Sequence, residues 1–152
     1  MQPATYPTPL ATVFDLYGNE RLTAWKQFRD DLETSVRPFE DVAELWSKAP
    51  FVSAFINPNK PESWPDPWHL ILDGKFDDLA IVLGMLYTLK LTKRFADAEF
   101  EIHANEPKNK TLTYWLVING KYVLNYNFKE VVTVQNLPEV TTSIIRQVKE
   151  EK

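Results

Sequence analysis

Around the stretch WPDPWHLILDGKFDD, residues 64–78, the chain gathers a dense set of groups able to carry chemistry: Ser63, Asp66, His69, Asp73, Asp77 and Asp78. A serine, an imidazole and a carboxylate are the raw material of a hydrolytic triad, in which the carboxylate orients the ring and the ring takes the hydroxyl proton. Several carboxylates beside one imidazole are equally the raw material of a metal site, since hard cations want converging oxygens and zinc wants His or Cys pairs. Both readings lack support nearby. No Gly-x-Ser-x-Gly elbow accompanies Ser63, and only Asp73 and Asp77 have the four-residue step that puts two ligands on one helical face. Helix capping explains the aspartates more simply: Asp73 caps the helix that follows, with Asp77 and Asp78 in its first turn at the positive end of the macrodipole. The expectation is no metal and no cofactor, with the His69 ring packed beside Trp68 and bonded to a carbonyl. A hydrolase built on Asp66, His69 and Asp73 is the enzymatic alternative. The other histidine, His103, reads as a solvated residue on the wet face of a strand.

Three tryptophans flank these groups or follow them. Trp64, Trp68 and Trp115 either form an aromatic recognition surface, since such side chains dominate binding hot spots, or lock the loop over the helix behind it. With Asp66 and His69 they make the candidate binding set.

Composition narrows the remaining classes. At 152 residues, with 44% hydrophobic and 13% aromatic content, the chain suits one self-sufficient core. A net charge of −4, with no run of Lys or Arg among the aromatics, argues against a phosphate-tracking groove, so nucleic acid is not an expected partner. The absence of cysteine removes disulfides, thiolate ligands and thiol catalysis together. With 4 glycines there is no phosphate loop or dinucleotide fingerprint. The opening MQPATYPTPLATVF has neither a basic region nor a long apolar core, so no signal peptide and no membrane span are expected, and the compartment is the cytoplasm or a virion.

The elements that must position these groups follow from periodicity. Residues 1–17, with Pro3, Pro7 and Pro9 among apolar side chains, read as an extended arm that lies on its own domain or on a neighbouring subunit. Residues 18–152 then form a single α+β domain. Asn19 is a candidate cap for a helix in which Leu22, Trp25, Phe28, Leu32 and Val36 point inward and Arg21, Lys26 and Arg29 outward. Pro38 opens a second helix with Phe39, Val42, Leu45 and Trp46 inward. Five prolines between Pro50 and Pro67 predict a long wrapping loop. From Phe76 to Leu91 the chain is apolar on nearly every side, the mark of a central buried helix. The period then falls to two: Ala98, Phe100 and Ile102 alternate with Glu99, Glu101 and His103. Asn119-Gly120 between TLTYWLVI and KYVLNYNF is a hairpin turn, Glu130–Val134 a further strand, and the segment after Pro138 a short helix or strand. The architecture expected is N-terminal helices and a buried central helix packed on an antiparallel meander.

This order of elements resembles the transglutaminase-like branch of the papain-like cysteine-protease architecture. In that family a Gly-x-Cys-x-x-x-Ala motif opens the central helix, a His precedes an aromatic residue on the next strand, and an Asp sits on the strand after. GKFDDLA, residues 74–80, is similar to the first motif, TYW to the second and KYVLNY to the third, over about residues 62–134. The thiol position is Phe76, whose ring has no lone pair with which to attack. If Ile118 faces Lys121 across a two-residue turn, the His and Asp positions fall on Thr113 and Tyr126 or, one position along, on Tyr114 and Asn125. Neither pair can serve as base and orienter. The resemblance therefore implies a degenerate site, and a non-catalytic domain that binds protein or plays a structural part. The aromatic loop also resembles small proteins of tailed bacteriophages, cyanophages especially, which implies other virion subunits or a host protein as partner, with oligomer contacts through residues 1–17.

Overall fold

In the chain as a computed structural model, the described residues are 13–52, 56–73, 75–105, 113–127, 129–137 and 143–148. The three- and four-residue apolar steps form helix α1 (Gly18–Leu32), whose Trp25, Phe28 and Leu32 are buried. Its cap position is Tyr17 and not Asn19, and it stops at Leu32, leaving Val36 93% exposed where the periodicity had placed it inward. Pro38 sets the first turn of α2 (Pro38–Trp46), which buries Val42, Leu45 and Trp46. The proline-rich stretch runs directly into a helix that its sequence did not predict. Pro67 begins a further helix, α3 (Pro67–Asp73), and Asp66 caps it by accepting the His69 amide at 2.9 Å. The apolar helix is α4 (Asp78–Lys90), touched by α2, α3, β1 and β2.

The sheet has the order β4-β3-β2-β1-β5, with every adjacent pair antiparallel: β1 (Phe100–Asn105), β2 (Thr113–Ile118), β3 (Tyr122–Leu124), β4 (Val131–Thr133) and β5 (Ser143–Val148). Four strands make the expected meander, and the last segment is a strand that returns beside β1. Alternation sorts the two faces. Phe100, Ile102, Tyr114, Leu116, Ile118 and Leu124 join the main core with α4, while Trp115, Val117 and Val123 build a smaller cluster on the far side.

The Asn119-Gly120 turn forms as predicted, with φ of 54° and 65° and the Lys121 amide donating to the Ile118 carbonyl at 3.0 Å. The register beyond it differs by one. Ile118 faces Tyr122, and Leu116 faces Leu124, because Lys121 bulges out of the ladder and its carbonyl accepts the Val134 amide at 2.8 Å. The expected facing of Ile118 with Lys121 is thereby corrected.

Two polar anchors fix the helical layer. The Thr88 hydroxyl accepts from Trp25 Nε1 and Trp46 Nε1, each at 3.0 Å, and donates to the Gly84 carbonyl at 2.6 Å, joining three helices at one atom. Arg21, expected on the solvated face, is 3% exposed. Its guanidinium donates to the carbonyls of Leu16, Ile71 and Phe14 at 2.8, 3.1 and 3.3 Å, and desolvation pulls its pKa down. That clasp holds the 3-10 turn Val13–Asp15, whose Val13 and Phe14 lie in the domain's own core. This end of the arm packs on its own domain, and residues 1–12 lie outside the described residues.

Candidate functional site

The head of α4 is built by three consecutive residues with three different tasks. Phe76 lies two residues ahead of the first helical residue, in a parallel bridge with Phe51: its amide donates to the Pro50 carbonyl at 3.1 Å and its carbonyl accepts the Val52 amide at 3.0 Å. Its ring is fully buried, edge-on to Phe14 at 5.5 Å and to Trp46 at 5.4 Å. The aromatic walls of this ring are Phe14 and Trp46. Asp77, and not Asp73, is the N-cap. Its carboxylate accepts the Ala80 amide at 2.8 Å and the Ile56 amide at 2.9 Å, closing the helix end and pinning the loop that crosses it. Asp73 ends α3, and its side chain and Gly74 lie outside the described residues.

Asp78 faces the sheet. Its two oxygens accept the Tyr114 amide at 2.8 Å and the Asn125 side-chain amide at 3.0 Å, and the same Asn125 nitrogen reaches the Tyr114 carbonyl at 2.9 Å. Asn125 holds a φ of 71°, a left-handed conformation that asparagine tolerates better than most residues and that turns its amide back toward β2. Of the two alternative pairs, Tyr114 and Asn125 are the ones brought to the helix head. Thr113 sends its hydroxyl to the Asn105 carbonyl, and Tyr126 stacks on Trp115 in the far-face cluster. The junction consists of a carboxylate, an amide and backbone groups that bond one another, with no thiol in it.

Burial pushes the Asp78 carboxyl above its ordinary pKa, the Asp77 charge adds to this, and the bonds from Asn125 and the Tyr114 amide pull the other way. The folded state therefore holds this proton more tightly than the unfolded chain, so stability from this group is highest while it is protonated. It declines as pH rises from the unfolded value through the folded one. Urea melts of the parent and of Asp78→Asn between pH 3.5 and 7 should show the parent losing ground to the variant as pH rises; a parent that gains ground instead contradicts the assignment.

The remaining predicted residues are dispersed. His69 Nδ1 meets Asp66 Oδ2 at 2.8 Å on the exposed side of α3, and the His69 amide and ring hold the Asp66 carboxylate below its usual pKa. Ser63, expected as a possible third member, gives its hydroxyl to the Lys60 carbonyl at 2.7 Å. His69 is thus solvated and bonded to Asp66, not packed and bonded to a carbonyl as expected. His103 is only 17% exposed in its side chain and bonds Glu101 at 2.9 Å, so it is not the solvated residue expected. Trp64 and Trp115 are buried on opposite sides of the sheet, in the main and the far-face cluster, and only Trp68 is exposed; no shared three-tryptophan surface exists. Among the described residues no group of three His, Asp or Glu converges as a ligand set.

Two arginines stand on tryptophan rings: Arg29, expected on a solvated helix face, and Arg146, to which the sequence assigned no role. Arg29 lies over the rings of Trp25 and Trp68, at 4.4 and 5.5 Å, and Arg146 over Trp64 at 5.4 Å. The four-residue step from Trp25 to Arg29 on α1 was a local signal for the first stack. Nothing local marks the second, which β5 brings from the far end of the chain.

The solved structure of Legionella pneumophila LapG in its calcium-bound form is similar to this chain across 88% of its length and 79% of LapG, with a TM-score of 0.61 and 16% identity. The chain carries the transglutaminase-like fold of LapG, an α+β arrangement of helices on a five-stranded antiparallel sheet. No family model matches the chain, and no curated protein matches it. No helix among the described residues is long and apolar enough to cross a membrane.

Proposed function

We propose that the chain is a non-catalytic transglutaminase-like domain acting as a protein-binding or structural module. The observation that carries this reading is Phe76: a fully buried ring occupies the head of the central helix, where catalytic members of this fold family place a thiol. A thiol there would feel the positive end of the helix dipole and lose its proton easily, whereas a phenyl ring offers no electron pair. The base position falls on Tyr114 and the orienting carboxylate position on Asn125, so the roles of all three triad members are vacant together. Asp78 uses the freed junction to tie α4 to the hairpin. The partner is a protein, either another virion subunit or a host factor; recovery of the chain in purified particles would support the first, and recovery only with a soluble host protein the second.

Incubating tag-free protein with a fluorogenic glutamine peptide and an amine donor tests the non-catalytic reading. Neither hydrolysis nor transfer should rise above the blank. Turnover that disappears in His69→Ala would overturn it in favour of a hydrolase built on the Asp66–His69 pair.

A further inference from the structure

Both tryptophans of the WPDPW turn carry an arginine on one face, Arg146 on Trp64 and Arg29 on Trp68. The ion pairs among the described residues are Lys26–Asp30, Asp66–His69 and Glu101–His103, so neither arginine forms one, and the carboxylate beside Arg29, Asp30, acts on it only through its charge while it is paired with Lys26. Arg29 is the more informative of the two. Its guanidinium lies against Trp25 and Trp68, which meet edge-on at 5.8 Å, and its Nε is shut off from solvent with no hydrogen-bond partner among the described residues. Desolvation lowers its pKa, which means that the fold keeps a cation where water does not fully repay it. Beside it the exposed side of α3 shows Trp68 at 46% and, one helical turn on, Leu72 at 44%. An arginine held against tryptophan rings is preorganised for a carboxylate, because less side-chain freedom is lost when the ligand arrives. Trp and Arg together are also the side chains that dominate interface hot spots.

We propose that Arg29, Trp68 and Leu72 form a docking surface for an acidic peptide segment of a partner protein, one carboxylate meeting the Arg29 guanidinium and an apolar side chain lying across Trp68 and Leu72. The inference rests on the reading of the chain as a protein-binding module and names the chemistry of its partner. The charge is local, on a chain of net charge −4, which favours a short acidic peptide over a polyanion such as nucleic acid.

Random heptapeptides displayed on phage and selected against the full chain provide the test. Selected sequences should share a Glu or Asp within four positions of a Leu, Trp or Phe. The best of them, synthesised with that Glu and again with Gln, should differ by about 10-fold or more in affinity for the unmodified protein. Arg29→Gln and Trp68→Ala should each weaken the Glu peptide by a similar factor, while Val134→Ala, on the exposed turn after β4, should not. Because the Glu-to-Gln comparison is made on the parent, it stands even if a variant folds poorly. An empty selection, a consensus without acid, equal affinity for the two peptides, or a single-stranded DNA oligomer that displaces the Glu peptide would each overturn the proposal. These failures leave the turnover assay untouched, and detected turnover would leave the peptide preference measurable, so the two readings fail separately.

Discussion

Replacing Phe76 with alanine is expected to lower the free energy of unfolding by about 4 kcal/mol, near the middle of the range for removing a fully buried phenylalanine. The site has little capacity to collapse into the gap. Phe14 and Trp46 meet the ring edge-on and Trp46 is tied to Thr88, while the Phe76 backbone is bridged to the Pro50–Val52 segment on its other side. A seat kept for catalysis would tolerate truncation with little loss, since active sites sacrifice stability for function. Urea denaturation of parent and variant measures the difference. A loss under about 1 kcal/mol would mean that the ring fills no structural role.

Gly84→Ala is expected to cost about half as much or more, and for the opposite reason. A Cβ at this position would stand 2.2 Å from Trp46 Cη2 and 2.4 Å from Cζ2, far inside van der Waals contact. Trp46 cannot give way without breaking its bond to Thr88 and its edge contacts with Phe14 and Phe76. Alanine's better helix propensity returns about 1 kcal/mol, against an overpacking cost that reaches about 3 kcal/mol or more when the obstacle is rigid. The net result should be a markedly lower melting temperature. Trp46→Phe in the same chain removes the obstructing part of the ring and should recover part of the loss. If the double variant is no more stable than the sum of the single changes predicts, the clash is not the cause.

These two positions also mark how far the sequence could be read. The apolar girdle from Leu79 to Leu89 announced a buried helix, and the alternation from Ala98 to His103 announced β1, because both patterns are set by local period alone. The tightness at Gly84 was invisible, since the ring it must clear comes from α2. Helix α3 was lost to the five prolines around it, although Asp66 followed by Pro67 is a cap and a first-turn residue in sequence and signalled the start. Moving the cap of α4 from Asp73 to Asp77 follows from that omission. The hairpin turn was legible in Asn119-Gly120, but the register was not, because the bulge at Lys121 depends on a bond to Val134 in the turn after β4. Arg21 and Arg29 were read as solvated helix faces, and their burial depends on carbonyls and rings that only the tertiary fold delivers. At the helix head, Phe76 was legible in the GKFDDLA motif, the choice of Tyr114 over Thr113 needed the sheet face to be known, and Asp78's bond to Asn125 had no sequence signature.

The central claim is that the head of α4 is sealed by packing where a reactive group would need access. Since the chain has no cysteine of its own, Phe76→Cys creates a single reporter thiol at that spot. Its reaction with a disulfide reagent can be timed in buffer, with circular dichroism confirming the fold, and again in urea. The account predicts labelling at least about 100-fold slower in the folded protein, as expected of a group exposed only by large-scale opening. Labelling of the folded variant at the urea rate would place position 76 in open contact with solvent and contradict it.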